Sequence, residues 1–530
     1  MTERGFQTQI YEYPMASDGV NLFKAHQDLK PTECANAQNV IFKNGMVKRG
    51  GQSAHDTDEV NAGNVIKGLH KYINTTANKT VAASGGNVYT LDSGTWTARV
   101  SGLTDTQFYF ENFLDRIYMS NGTEAPRYWD GSSVTTVTAA PTTTLQMLQY
   151  QDRLLTLQAN GDLDWSDSYD TTAFQGVTNT GVQVDSIAHG MAIHSAQDVN
   201  AGLQDKVLIA GGNGMYLFQG TDLRTPSTTG NYTLRRVSQI GCNAPRTMAW
   251  TPRGTCWLGK DKQIYILPFN DTRPIPIGRR VQARRQGEEG IESIPTAQLA
   301  TACAIYHDGY YKISYASSGQ SKNNTQLWLE IDRMSGEEGD LGPWYGPMKG
   351  QTIGVFARND DEVLLGGDGD PNTADDKSKI SMVYELHKKG DNADFVYDAS
   401  AGTVRRSIVI DYWTFYNALG EEPFLKVVDN VEAELLDVLG TISFDLYDIA
   451  GAVKTGDTFS LSGSAVFWND AFWGVEFWSD SVATRVVVPI SPSPSVRRLS
   501  IRIGLTSGND TFELYKLKVR AQQQSLGLDT

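Results

Sequence analysis

One short unit that recurs along the chain limits the possible folds more than any other feature. It is clearest from Trp250 to Pro268, WTPRGTCWLGKDKQIYILP. Thr255 to Leu258 is a β-branched and aromatic run, Gly259-Lys260-Asp261-Lys262 is turn-forming, and Gln263 to Leu267 is a second run. In that second run Ile264 and Ile266 share one face and Tyr265 takes the other, the period-2 alternation of an antiparallel hairpin. Met248 to Thr251, turned at Pro252-Arg253-Gly254, adds a third strand. A meander this small exposes an apolar face it cannot bury alone, so it must stack on copies of itself.

The copies can be read in order. The first spans 66–72, 79–83, 87–91 and 96–100, with turns at Gly85-Gly86 and Ser93-Gly94. The second spans 107–112, 116–120, 127–129 and 134–137, the third 145–150, 153–157 and 163–166, and the fourth 187–193, 206–210, 215–218 and 232–237. The opening hairpin belongs to the fifth. The sixth spans 302–307, 310–315, 326–332 and 344–345, and a further unit at 353–357, 362–365 and 382–386 is a candidate seventh. Three or four strands at a period of roughly 40–55 residues are the pattern of propeller blades. A stack of β-sandwiches is the rival, disfavoured because the units follow one another without long Greek-key connections.

The expectation is therefore an all-β chain: residues 1–60 an N-terminal arm with a short hairpin, 61–400 a β-propeller of about six blades, and 401–530 a β-sandwich or platform domain. The arm carries a helical turn over 31–39 and a hairpin, Val40-Ile41-Phe42 to Met46-Val47, around Asn44-Gly45. After residue 400 the strands lengthen: 407–415, 425–435, 440–447, 459–461, 484–488, 497–505 and 512–520. Between them AVFWNDAFWGVEFWSD spaces Trp468, Trp473 and Trp478 five apart, which suits neither one strand face nor one helix face. This loop either covers a core edge or docks on a partner.

Net charge is −15. A chain that grips DNA through its whole surface is usually basic, so general phosphate binding is disfavoured. Cys34, Cys242, Cys256 and Cys303 are widely spaced, without the CxxC or Cys/His clustering of a zinc site, and read as buried thiols of a reducing compartment. The first residues lack the apolar run of a signal peptide, and no apolar stretch is long enough for membrane insertion.

Three stretches resemble the tail nozzle (tail hub) proteins of short-tailed bacteriophages: ECANAQNVIFKNGMVKRGG, NAPRTMAWTPRGTCWLGKDKQIYILPFNDTRPIPIG and GYYKISYASSGQSKNNTQLWLEIDRMSGEEGDLGPWY. They cover about a fifth of the chain and contain no catalytic motif; their order carries the resemblance, and 401–530 adds nothing to it. The resemblance implies a structural virion protein, assembled in the host bacterial cytoplasm. It would form a homohexameric ring below the portal and adaptor, contacting the head–tail adaptor and tail fibre or spike proteins. Genomic DNA would pass through the ring during ejection without sequence-specific binding, and an acidic lumen would let it slide. The alternatives are a phage adhesin that binds the host surface through propeller loops and, as the lesser one, a propeller glycosidase.

The candidate sites follow. Arg279, Arg280, Arg284 and Arg285 form the densest basic cluster, a contact for DNA or an acidic neighbouring subunit, or an exposed loop paired with Glu288 and Glu289. Phe42, Val47, Lys48 and Arg49, with Trp468, Trp473 and Trp478, are interface candidates. A patterned strand that cannot bury itself locally must pack on its own propeller or on a neighbour, so deletion of residues 1–51 would test the arm as an assembly element. Asp368, Asp370 and Asp375 make a weak calcium candidate beside the simpler reading of a solvated acidic loop, because the Gly and distal Glu of a calcium loop are missing. Asp332, Glu337, Glu338 and Asp340 crowd one turn rather than facing each other across a bond. His70, His189, His194 and His307 lie in strand patterns and read as structural. No catalytic group and no cofactor is expected.

Overall fold

In the computed structural model the chain is all-β. The structure describes residues 8–43, 45–75, 78–174, 182–195, 206–223, 231–284, 290–334, 342–359, 362–367, 381–386, 393–398, 402–420, 425–436, 440–461, 484–505 and 513–523. Among them the only helices are short 3-10 turns, the longest being Thr296–Thr301.

Six antiparallel blades follow one another, opening on Ile66–Ile73, Tyr109–Phe113, Thr144–Tyr150, Ala188–His194, Ala249–Thr251 and Cys303–His307; each has four strands in order, and the third adds the short Val182–Gln183. Each opening strand packs beside the next, and Ile353–Asn359 then packs between the sixth and the first. That strand begins a composite sheet, Ile353–Asn359, Glu362–Gly367, Val383–Leu386, Gln52–Ala54, Ala393–Asp398 and Gly402–Ser407, which closes the ring of the propeller. The six blades of continuous chain are those the alternation predicts, and the candidate seventh is the closing sheet. The third blade has a fourth strand, Asp170–Phe174, that its sequence does not announce.

The fifth blade shows why these residues become a blade. Gly254–Leu258 is buried at all five positions because the strand has a neighbouring blade on each face. Trp257 stands opposite Tyr265 in the register, with ring centroids 5.7 Å apart. The Leu258 N–H donates to Thr247 Oγ1 at 2.9 Å, and the Tyr311 hydroxyl donates to Thr247 O at 3.0 Å, tying the fifth blade to the sixth. The apolar core is accordingly a series of clusters between blades. One joins blades one and two, another two and three, another three and four, and a large one runs from blades four to six into both ends of the chain.

Of the two alternatives for the amino-terminal hairpin, its own chain or a neighbour, the described residues pack on their own chain. Thr8–Tyr13 pairs with Glu513–Gln523, and the hairpin Val40–Phe42/Met46–Lys48 adds to the same strand through Met46 and Leu514. Asn36–Gln38 bridges Trp344–Lys349 of the sixth blade and Ile410–Trp413, where a helical turn is predicted from composition. Ala37 is fully buried there, and two strand edges supply its backbone partners, which outweighs a weak local propensity. Gln52–Ala54 sits inside the closing sheet between Val383–Leu386 and Ala393–Asp398. A Cβ on Gly51 would lie 1.9 Å from Ala393 O, so only glycine allows that approach. Deleting residues 1–51 would thus strip strands from two sheets of its own chain and remove Arg49 from its ion pair with the closing sheet, and such a truncation would report folding rather than assembly.

The long strand predicted over 407–415 is two. Gly402–Ser407 ends the closing sheet and Ile410–Trp413 starts another. That sheet continues the sixth blade through Asn36–Gln38, Ile410–Trp413, Ser500–Leu505, Gly440–Asp448 and Gly451–Leu461. A second carboxy-terminal sheet holds Lys426–Leu436, Thr484–Pro489 and Glu513–Gln523. Buried residues of both, such as Val431, Val519, Phe444 and Ile503, belong to the large cluster.

Lys312 lies mid-strand in Tyr310–Tyr315, where all six residues are buried, with Nζ 4.4 Å from the centre of the Trp328 ring. Burial pulls its ammonium down to about 7; Asp308 opposes that and Lys43 adds to it. In the unfolded chain a lysine titrates near 10.4. Between these values the unfolded state binds more protons, so the destabilisation from this lysine is full below pH 7 and fades toward pH 10. Lys312→Met should therefore raise the urea midpoint, most at pH 7 and least at pH 10. An equal gain at both pH values would show that the buried charge is not its cause.

Candidate functional site

The basic cluster is completed from the other end of the chain. Leu22 N–H donates to Arg280 O at 2.7 Å and Arg284 N–H to Leu22 O at 3.1 Å, so residues 21–33 run beside the outer part of the fifth blade. A cleft of about 620 Å3 opens between them, lined by Phe23, Lys24, Lys30 and Glu33 on one side and Arg279 and Arg280 on the other. The Arg279 and Arg284 guanidinium carbons lie 4.5 and 3.7 Å from the centre of the Phe23 ring. Cation–π contact holds the two like charges side by side.

The one carboxylate lining the cleft is already engaged. Glu33 is buried and accepts Lys24 Nζ at 2.8 Å, Lys30 N–H at 2.9 Å and Asn21 Nδ2 at 2.9 Å. Burial raises its pKa, but these hydrogen bonds and the Lys24 charge outweigh that and hold it below the usual carboxylate value. Arg280 Nη1 donates to Asp18 O at 2.8 Å. Arg279 and Arg284 are exposed and have no carboxylate partner among the described residues. Glu292, nearby in sequence, spends its carboxylate on the Ala283 and Gly290 N–H groups. In a chain of net charge −15 the cleft is a local positive site.

The other sequence-predicted residues go elsewhere. Phe42, Lys48 and Arg49 are buried within this chain and Val47 is half-buried, paired with Ile41 and Glu513. Strand pairing and the Arg49–Asp394 ion pair use Phe42, Lys48 and Arg49 internally, which corrects these three as interface candidates and leaves Val47 as the one of the four with surface to offer. Arg285, Glu288, Glu289, Trp468, Trp473, Trp478, Asp368, Asp370, Asp375, Glu337, Glu338 and Asp340 lie outside the described residues. Among the described residues no three or more His, Cys, Asp or Glu side chains are grouped to hold a metal ion, and no helix is long and apolar enough to cross a membrane. The four cysteines are buried and form no disulfide, and burial pushes the Cys242 thiol up to about 12. Of the predicted structural histidines, His194 is held down to about 4, first by burial and then by Lys206, and bonds Thr255 Oγ1 at 2.9 Å.

Sequence reasoning missed Phe23, Lys24 and Lys30, which lie some 250 residues from the arginines. The available signal was Leu22-Phe23-Lys24, an apolar-to-basic step within a polar stretch.

A second concavity lies on the propeller axis. It measures about 400 Å3 and is formed by the amino-terminal ends of four opening strands, at Ile66, Tyr109, His189 and Gly354, and by turns that belong to the fifth and sixth blades. Arg246 spans it, with Nη1 donating to Gly354 O at 2.8 Å and Nη2 to Thr301 O at 2.8 Å.

No protein-family model matches the chain, and no curated protein matches its sequence. Solved structures similar to it include a computationally designed protein, Ika8, at 11% identity and TM-score 0.35, covering 70% of this chain and 100% of that one. YCF48 bound to D1 peptide is similar at 8% identity and TM-score 0.38, covering 67% and 98%. The WD40 β-propeller domain of Doa1 is similar at 8% identity and TM-score 0.37, covering 64% and 98%.

Proposed function

We propose that this chain is a structural subunit of a bacteriophage tail, a propeller-bearing member of a ring around the DNA exit channel. The observation that carries the reading is the cleft lined by Phe23 and Arg279, with Arg284 stacked on Phe23 beside it, a preformed cationic and aromatic site on a chain that is otherwise acidic. Such a site suits an acidic surface of an adjoining subunit or tail protein, because complementary charge sets register and speeds encounter. The acidic remainder disfavours general DNA adhesion, as a conduit requires. The order of the three nozzle-like stretches supports the same reading. We read the two carboxy-terminal sheets as a β-sandwich platform, supported by their shared buried cluster and the alternating burial of Ser500–Leu505 and Glu513–Gln523.

Close charge pairs across an interface couple by roughly 1.5 kcal/mol or more each. The double variant Arg279→Glu/Arg284→Glu should therefore weaken incorporation into tailless particles by about a hundredfold or more. Its urea midpoint should stay close to that of the parent, since both guanidiniums are exposed. Incorporation at parental efficiency, scored by particle completion and retention of packaged DNA, would remove the cleft from assembly and with it the main support for this function.

A further inference from the structure

We propose that the axial pocket of the propeller binds a small organic anion, a carboxylate or phosphate group on a compact apolar body. The pocket exists only in the closed ring, because its walls come from strands of four different sheets and from turns of the fifth and sixth blades. A volume of about 400 Å3 suits a small molecule.

Its lining reverses the charge of the chain. Lys67, Arg246 and Lys322 line it, and no Asp or Glu does. Lys67 leans out to Asp105 at 2.7 Å, beyond the lining. Arg246 is fixed in place, but its acceptors are backbone carbonyls, so its full positive charge is not cancelled by them. Glu111 sits two residues beyond Tyr109 on the same strand face, half-buried. Burial pushes its carboxyl up to about 8, opposed by a bond from the Gln149 backbone, so at neutral pH it is mostly uncharged.

Neutral donors complete the site. The Tyr109 hydroxyl keeps its proton, because burial raises it to about 12. Asn243 presents an exposed amide at the rim. Ile66, Pro245 and Ala300 supply apolar wall for the body of the ligand. Burial keeps the His189 imidazole below its usual value, so it lines the pocket uncharged at neutral pH. Hydrogen bonds to a charged group are worth more than neutral ones, and a field already in place needs no rearrangement on binding.

Titration calorimetry at low salt with benzoate, phenyl phosphate and benzamide tests this. The two anions separate carboxylate from phosphate, and benzamide carries the same ring without charge. Saturable binding of at least one anion at one site per chain is expected, with none for benzamide. Asn243→Asp places a carboxylate at the rim without changing shape, and Lys322→Gln removes one cation. Each should weaken the anion about tenfold or more while the circular dichroism spectrum stays that of the parent. Absence of saturable heat for both anions, equal binding of benzamide, or unchanged affinity in both variants would overturn the proposal.

Discussion

Asp394→Ala should be among the most destabilising single changes in the protein, costing about 3–5 kcal/mol. The Asp394 carboxylate takes Arg49 Nη1 at 2.9 Å and Nη2 at 2.6 Å, a bidentate pair with side chains 2% and 0% exposed. Gln351 Nε2 donates to it at 3.0 Å. The same guanidinium donates to Asn39 Oδ1 at 2.9 Å and to Lys349 O at 2.7 Å. One cation thus ties the amino-terminal segment to the last strand of the sixth blade and to the closing sheet. Removing the carboxylate leaves a buried charge without its counter-ion, and the loss is the desolvation of that charge rather than the strength of one contact. Urea denaturation should show a large drop in midpoint for Asp394→Ala and for Arg49→Ala. The double variant Arg49→Met/Asp394→Leu should recover much of it, because no unpaired charge remains. A single variant with the parental midpoint would mean that the closing sheet does not depend on this pair.

Trp257→Ala should cost a similar amount, about 3–5 kcal/mol, through the cavity it leaves. Trp257 is fully buried on a strand with a blade against each face, so the walls have little room to collapse. Its Nε1 finds no acceptor among the described residues. Trp257→Phe keeps an aromatic ring against Tyr265 and drops that unsatisfied donor, so it should cost much less than the alanine. Equal losses for the two substitutions, read from denaturant midpoints, would show that ring packing is not what holds this blade.

Much of the blade structure is legible in sequence because a blade is local. Its strands are adjacent in the chain, its turns carry Gly, Asn or Asp, and its faces alternate with period 2. The hairpin at 250–268 is found as Ala249–Thr251, Gly254–Leu258 and Ile264–Pro268 for this reason. Asp170–Phe174 was not legible, since an outer blade strand is half exposed and DTTAF has no clear alternation. The cleft was half legible. Consecutive arginines announce a basic patch, but nothing local says that Phe23 will lie between them.

By itself the sequence determined the all-β class, the succession of meanders and the acidic surface, because each rests on periodicity, turn chemistry or composition within a short window. Only the tertiary structure decided how the ring closes and where the amino-terminal residues go. Gln52–Ala54 is three residues long, with no alternation to mark it as a strand, yet it fills the gap between Val383–Leu386 and Ala393–Asp398. Pairings across more than 300 residues are selected by which backbone edges remain unpaired once the local sheets have formed. Those free edges are a property of the assembled fold, and no window of the sequence contains them.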